Sequence, residues 1–147
     1  MNNIERIFSE STEIVSFAKQ YLTYLSDLIL KVDPLEITVF IETIFSARDR
    51  GAQIFFIGNG GSAATASHFA NDITIGSRSW DSPYRAVALT DNVSIVTAIA
   101  NDYGYDDIFV LQLKTQAKPG DVVVAISASG NSPNIIKAIE YANSNEM

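Results

Sequence analysis

Two short segments combine glycine, serine and asparagine in a pattern suited to holding an anion. Gly58-Asn59-Gly60-Gly61-Ser62 follows the apolar run Gln53-Ile54-Phe55-Phe56-Ile57, and Ser127-Ala128-Ser129-Gly130-Asn131-Ser132 follows Asp121-Val122-Val123-Val124-Ala125-Ile126. Each precedes a stretch of helical composition. A strand–loop–helix junction presents unpaired N–H groups and a partial positive charge at the helix start, which attract phosphate or carboxylate. Glycine lets the backbone approach the ligand, and serine adds hydroxyl donors. Neither loop contains lysine or arginine. Neutral donors favour a monophosphate that enters and leaves over a tightly held polyphosphate. One such loop alone also serves as a plain βα turn, and the second as a set of helix caps. Two in one sheet point to a shared ligand.

His68, the single histidine of the chain, lies four residues before Asp72. On a helix the two share a face, one turn beyond the first loop. An imidazole beside a carboxylate could ligate a metal or move a proton. The same spacing also suits a buried histidine bonded to its neighbour. Asn101-Asp102 closes the apolar stretch Ile95 to Ala100, just before the turn residue Gly104. Gly58 to Ala63 also reads as G-x-G-x-x-A, a dinucleotide fingerprint, but no acidic residue closes a second strand about 20 residues on. Asp91 is later and reads as a cap. A nucleotide-triphosphate loop is excluded, because no Gly-Lys-Ser/Thr occurs.

The elements that must position these residues can be read from periodicity. Apolar side chains from Ile4 to Ile29 fall on one stripe and predict a single long helix over residues 4–30, roughly 40 Å at 1.5 Å per residue. A helix that overhangs its domain reads as an oligomerisation element. Asp33-Pro34-Leu35-Glu36 starts a second helix, which runs to about Arg50 and ends at Gly51. Gly51 to Asn71 contains no Asp, Glu, Lys or Arg. Strands are expected at 53–57, 85–89 and 121–126. Helices are expected after each, with a further one near 106–117 and the last capped by Ser132 with Pro133 behind it. Alternating strands and helices predict an α/β fold, a doubly wound parallel sheet with helices on both faces. One domain is expected over 1–147, with N-terminal helices at about 3–50 and a sheet-and-helix core at about 52–147. A further strand is expected beyond Met147, because three parallel strands leave apolar edges uncovered.

Composition narrows the classes further. The 147 residues are 47% hydrophobic and carry a formal net charge of −7, which excludes a disordered chain and argues against a nucleic-acid partner. There is no cysteine, so disulfides and thiolate chemistry are excluded. No apolar run reaches membrane-spanning length, and no secretion signal opens the chain, so a cytoplasmic location is expected.

Phe56-Ile57-Gly58-Asn59-Gly60-Gly61-Ser62, His68-Phe69-Ala70, Ala100-Asn101-Asp102 and Ser127 to Ser132 together resemble the sugar isomerase (SIS) domain family, and within it the phosphoheptose isomerase branch. The resemblance implies a doubly wound sheet, a homotetramer, zinc, and conversion of sedoheptulose 7-phosphate to D-glycero-D-manno-heptose 7-phosphate. It implies substrate contacts from Asn59, Gly60, Gly61, Ser62, Asp72, Asn101, Asp102, Ser127, Ala128, Ser129 and Ser132, with the last four holding the phosphate. His68 and Asp72 would bind the metal, and Asp72 would be the catalytic base. Asp72 stands where the family has a glutamate, and the next segment, Thr74 to Arg78, carries one residue more than the family pattern. The remaining zinc ligands and a catalytic histidine are expected beyond Met147. Ala88-Leu89-Thr90-Asp91-Asn92 and Thr97 to Asp102 also resemble the replication-initiator-associating branch, which implies a non-catalytic module binding a sugar phosphate or an initiator partner.

Overall fold

The computed structural model describes residues 2–147. They form two compact units, one ending at Ile41 and the other spanning Glu42–Met147.

In the first unit, α1 (Asn3–Glu10) opens on a capping box: Asn2 Oδ1 accepts from the Glu5 N–H at 2.8 Å, and Glu5 Oε2 accepts from the Asn2 N–H at 3.0 Å. The single helix expected over 4–30 is instead two helices, because the chain is extended at Ser11 and Glu13 before α2 (Ile14–Ile29) begins. The Ser11 hydroxyl donates to the Ile7 carbonyl at 2.7 Å, satisfying a helix-end oxygen in place of the next turn. Phe8 then meets Phe17 edge-on at 5.3 Å, which folds α1 against α2. Ile7 is buried, whereas α2 buries none of its residues. Ile14, Val15, Leu22 and Ile29 of α2 stand exposed, as do Leu35, Ile37, Val39, Phe40 and Ile41.

The last turns of α3 (Pro34–Asp49) belong to the second unit. The helix starts with Asp33 Oδ1 accepting from the Leu35 N–H at 2.9 Å and ends at Gly51, whose φ of +65° only glycine adopts freely. β1 (Gln53–Gly58), β2 (Arg85–Ala88) and β3 (Val122–Ile126) form a parallel sheet in the order β2-β1-β3. Ile54 of β1 stands opposite both Ala86 and Val122, and Gly58 opposite Ile126.

The central strand is buried on both faces. Ile54 and Phe56 pack with Ile44 and Ala47 of α3 and with Ala66 and Ala70 of α4 (Gly61–Asn71). Phe55 and Ile57 pack on the other face with Ile108, Phe109, Leu113, Ile135 and Ala138. These come from α6 (Val110–Gln116), the segment before it, and α7 (Pro133–Ser144). Apolar residues on both faces of β1 demand helices on both sides, which is the doubly wound arrangement expected. At the amino end of the sheet, the buried Asp121 carboxylate accepts from the Gln53 and Lys118 N–H groups, each at 2.8 Å.

Two helices depart from the expected outline. After Asn71 the backbone widens into a π-helical turn, Asp72–Gly76. An i→i+5 turn closes around one residue more than an α-turn, and it falls in the segment read from the sequence as one residue longer than the family pattern. The helix expected near 106–117 is a 3₁₀ turn, Tyr105–Asp107, followed by α6. α5 (Val93–Asp102) is capped by Asn92, whose Oδ1 accepts from the Ile95 N–H at 3.1 Å. Asp91, read as a cap, instead accepts hydrogen bonds from Ser67 of α4 and from Thr90.

Candidate active site

β2 and β3 lie on opposite sides of β1, and the loops leaving β1 and β3 lead to helices on opposite faces of the sheet, the switch point at which parallel sheets take their ligands. The first loop is tight. Ser62 N–H donates to the Asn59 carbonyl at 2.9 Å, and Gly60, at φ +55°, turns the chain into α4. A Cβ on Gly58 would stand 2.5 Å from the Ser62 carbonyl oxygen, a contact no real side chain makes. Gly58→Ala should therefore displace the loop and destabilise the protein by about 1–3 kcal/mol, the usual cost of overpacking. Urea unfolding checks the stability; unchanged stability would show that the loop has room to spare.

The second loop is braced by its own serines. Ser127 Oγ accepts from the Gly130 N–H at 3.1 Å, and Ser129 Oγ from the Asn131 N–H at 3.3 Å. The two hydroxyls also lie 3.5 Å apart, so one donates to the other and one proton remains available to donate outward. Ser132 occupies the N-cap of α7 but makes no side-chain capping bond; its carbonyl takes the Ile135 and Ile136 N–H groups at 3.0 Å. Its hydroxyl is thus not consumed by capping, the role read for it from sequence.

The two loops are joined directly. Asn59 Nδ2 donates to Asn134 Oδ1 at 2.9 Å, and Asn134 Nδ2 donates back to Asn59 Oδ1 at 2.9 Å. Tyr105 OH donates to the same Asn59 oxygen at 3.0 Å. Both lone pairs of that oxygen are taken, and one N–H of the Asn59 amide remains for a ligand. Tyr105 follows the end of α5, where the Asn101 amide donates to the Asp102 carboxylate at 2.7 Å and both side chains are exposed. Asn134 and Tyr105 were missed from sequence. A signal existed for Asn134: it falls on the stripe Asn134, Ile135, Ala138 and Ala142 that α7 buries, where an unpaired amide is costly.

His68 and Asp72 do meet, with Nε2 3.1 Å from Oδ2. Their side chains are 75% and 58% exposed, so the buried-histidine reading falls. His68 lies nearly two turns along α4 from the loop rather than one, roughly 10 Å of helix rise, and Asp72 lies about one turn further, at the start of the π-helical turn. The structure does not bring them into contact with either loop. Two donors on one zinc ion stand roughly 3.3 Å apart in a tetrahedral site, so the pair could form one edge of it. No group of three or more His, Cys, Asp or Glu side chains converges among the described residues, whereas a zinc site takes at least three. These residues alone do not make that site.

The sequence model of the SIS domain family matches residues 17–147. The chain belongs to the SIS domain family. A probable phosphoheptose isomerase of Thermoplasma acidophilum is 46% identical over 125 residues, covering 85% of this chain and 69% of that protein. The phosphoheptose isomerase of Bordetella avium is 45% identical over 108 residues, covering 73% of this chain and 54% of its own length. Against most such relatives the chain spans about half their length. Among solved structures, a phosphoheptose isomerase from Neisseria gonorrhoeae superposes with a TM-score of 0.75 at 34% identity, covering 88% of this chain and 71% of that one. One from Francisella tularensis gives 0.82 at 27% identity, covering 100% and 73%. For this SIS domain the family match takes in both strand-end loops, His68 of α4, Asp72 at the start of the π-helical turn, and Asn101-Asp102. No helix among the described residues is long and apolar enough to cross a membrane.

Proposed function

We propose that this SIS domain serves a sugar-phosphate aldose–ketose isomerase, converting sedoheptulose 7-phosphate to D-glycero-D-manno-heptose 7-phosphate. The observation that carries the reading is the pair of uncharged, serine- and glycine-lined loops tied together at the switch point, in a chain 46% identical to a probable phosphoheptose isomerase. Ser127, Ala128, Ser129 and Ser132 hold the phosphate through hydroxyl and N–H donors. Asn59, Gly60, Gly61, Ser62, Asn101 and Asp102 contact the polyol.

The chemistry is a proton transfer. A base removes a proton from C1 of the ketose, the electron pair forms the C1–C2 double bond of an enediolate, a proton passes from O1 to O2, and a proton returned to C2 leaves the aldehyde at C1. Asp72 is the base on this reading, and His68 holds its carboxylate. Hydrogen-bond donors steady the charge on the enediolate oxygens. Zinc, which the resemblance implies, would find two donors in His68 and Asp72 and take the others from outside the described residues. The exposed apolar faces of α2 and of residues 35–41 support a homotetramer, and the family match from residue 17 to 147 supports reading the whole as one SIS-like domain. A cytoplasmic setting fits a phosphate ester, which does not cross membranes unaided.

The test is incubation with sedoheptulose 7-phosphate and added zinc in deuterium oxide, followed by proton NMR. The expected result is heptose phosphate carrying solvent deuterium at C2. Binding without turnover or exchange would make the protein a non-catalytic sugar-phosphate module. No binding at all would overturn the reading.

A further inference from the structure

We propose that Asn134 is a positioning residue that holds the first substrate loop at its working distance from the second. Asn134 is 1% exposed and lies in the first turn of α7, directly after the serine loop. Its amide forms a closed two-bond pair with Asn59, 75 residues earlier in the chain, at 2.9 Å in each direction. The pair joins the carboxyl end of the central strand to the head of the helix that follows β3. Tyr105 OH adds a third bond to Asn59 from the α5 side, so one amide fixes three segments of the crevice.

A buried amide is costly unless each polar atom finds a partner. Here the pairing satisfies both Asn134 atoms and sets the rotamer of Asn59, leaving one Asn59 amide N–H without a partner among the described residues. Asn134 touches no part of the expected ligand surface, because it is buried behind the loop. Its effect on binding must therefore pass through Asn59. An aspartate at 134 would still accept from Asn59 Nδ2 but could no longer donate, and its charge would face the Asn59 oxygen.

The test has two arms, of which only the second rests on the isomerase reading. In the first, hydrogen exchange is followed at the Gly58–Ser62 amides in wild type and Asn134→Asp. Exchange there should quicken by about tenfold, the weight of one hydrogen bond lost from a closed pair, with the Ile54–Ile57 amides unchanged. Unchanged exchange over Gly58–Ser62 would overturn the proposal. In the second, sedoheptulose 7-phosphate affinity is measured by calorimetry for Asn59→Ala, Asn134→Asp and the double variant. Asn134→Asp alone should weaken binding by about tenfold, and in the Asn59→Ala background it should cost nothing further. Full additivity would overturn the proposal, because Asn134 would then act independently of Asn59. Should the aspartate variant fail to fold, Asn134→Ser, which breaks the pair without adding a charge, takes its place in both arms with the same expected effect. If wild type binds no sugar phosphate, the isomerase reading falls and the exchange arm still decides the role of Asn134.

Discussion

Asp72→Asn should lower turnover of sedoheptulose 7-phosphate by about 10²- to 10⁴-fold, the usual contribution of a positioned base, or about 2.7–5.4 kcal/mol of barrier. The substitution keeps size and shape, and the amide can still bond to His68 across the 3.1 Å that now separates Nε2 from Oδ2. What it removes is the capacity to accept a proton and, with zinc, one anionic donor, so turnover is compared at saturating zinc. The loss should therefore appear in kcat, with KM within about twofold, since an interaction absent from the ground state leaves substrate binding alone. A fall in kcat/KM through KM would make Asp72 a binding residue. Retention of more than half the wild-type kcat would place the base elsewhere. Asp72→Glu separates reach from identity: one added methylene moves the carboxylate about 1 Å, a displacement that can change rate on the order of a hundredfold. A rise in kcat would show that the shorter residue leaves the base short of the substrate.

The π-helical turn bears on that comparison. Asp72 opens it, and Gly76 lies at its far end, where a Cβ would sit 3.6 Å from the Asp72 side chain. The extra residue in this segment was visible in the sequence as a departure from the family pattern, but its structural outcome was not. An insertion can lengthen a loop or widen a helix turn, and the choice depends on what the flanking residues bury. Here Ala70, just before the turn, and Ile73, within it, both pack against the core around β1, which ties the widened turn to the sheet.

The sheet was legible because β1 and β3 are continuous apolar runs ended by glycine or serine, a pattern set by burial on both faces. Both loops were legible for the same reason, since they begin where those runs stop. The break at Ser11-Thr12-Glu13 was not, because the apolar stripe continues in phase across it. Only the local competition of the Ser11 hydroxyl for the Ile7 carbonyl ends the first helix. The amide pair of Asn59 and Asn134 was hidden more deeply. It depends on two segments far apart in sequence meeting at the switch point, and no window of local periodicity contains both.

Phe56→Ala should be the most destabilising of the substitutions considered, by about 3–5 kcal/mol against the 5–15 kcal/mol that holds a typical domain together. Phe56 is fully buried on the central strand, and its ring stacks on Phe69 at 5.6 Å between centroids. The cost combines lost transfer free energy with a cavity that the parallel sheet, fixed on both sides by β2 and β3, cannot collapse to fill. Phe56→Leu keeps most of the volume and should cost less than about 1.5 kcal/mol. Urea unfolding reads both as shifts in midpoint at constant slope. A loss below about 1 kcal/mol for Phe56→Ala would mean that the sheet relaxes around the gap. Phe56 also touches function through α4. Its contact with Phe69 lies beside His68, so loosening it should reach the His68–Asp72 pair before the serine loop, which hangs from β3. In a folded Phe56→Ala protein, kcat should therefore fall further than affinity for the sugar phosphate, and the opposite order would show that the strand acts on the site through the loops instead.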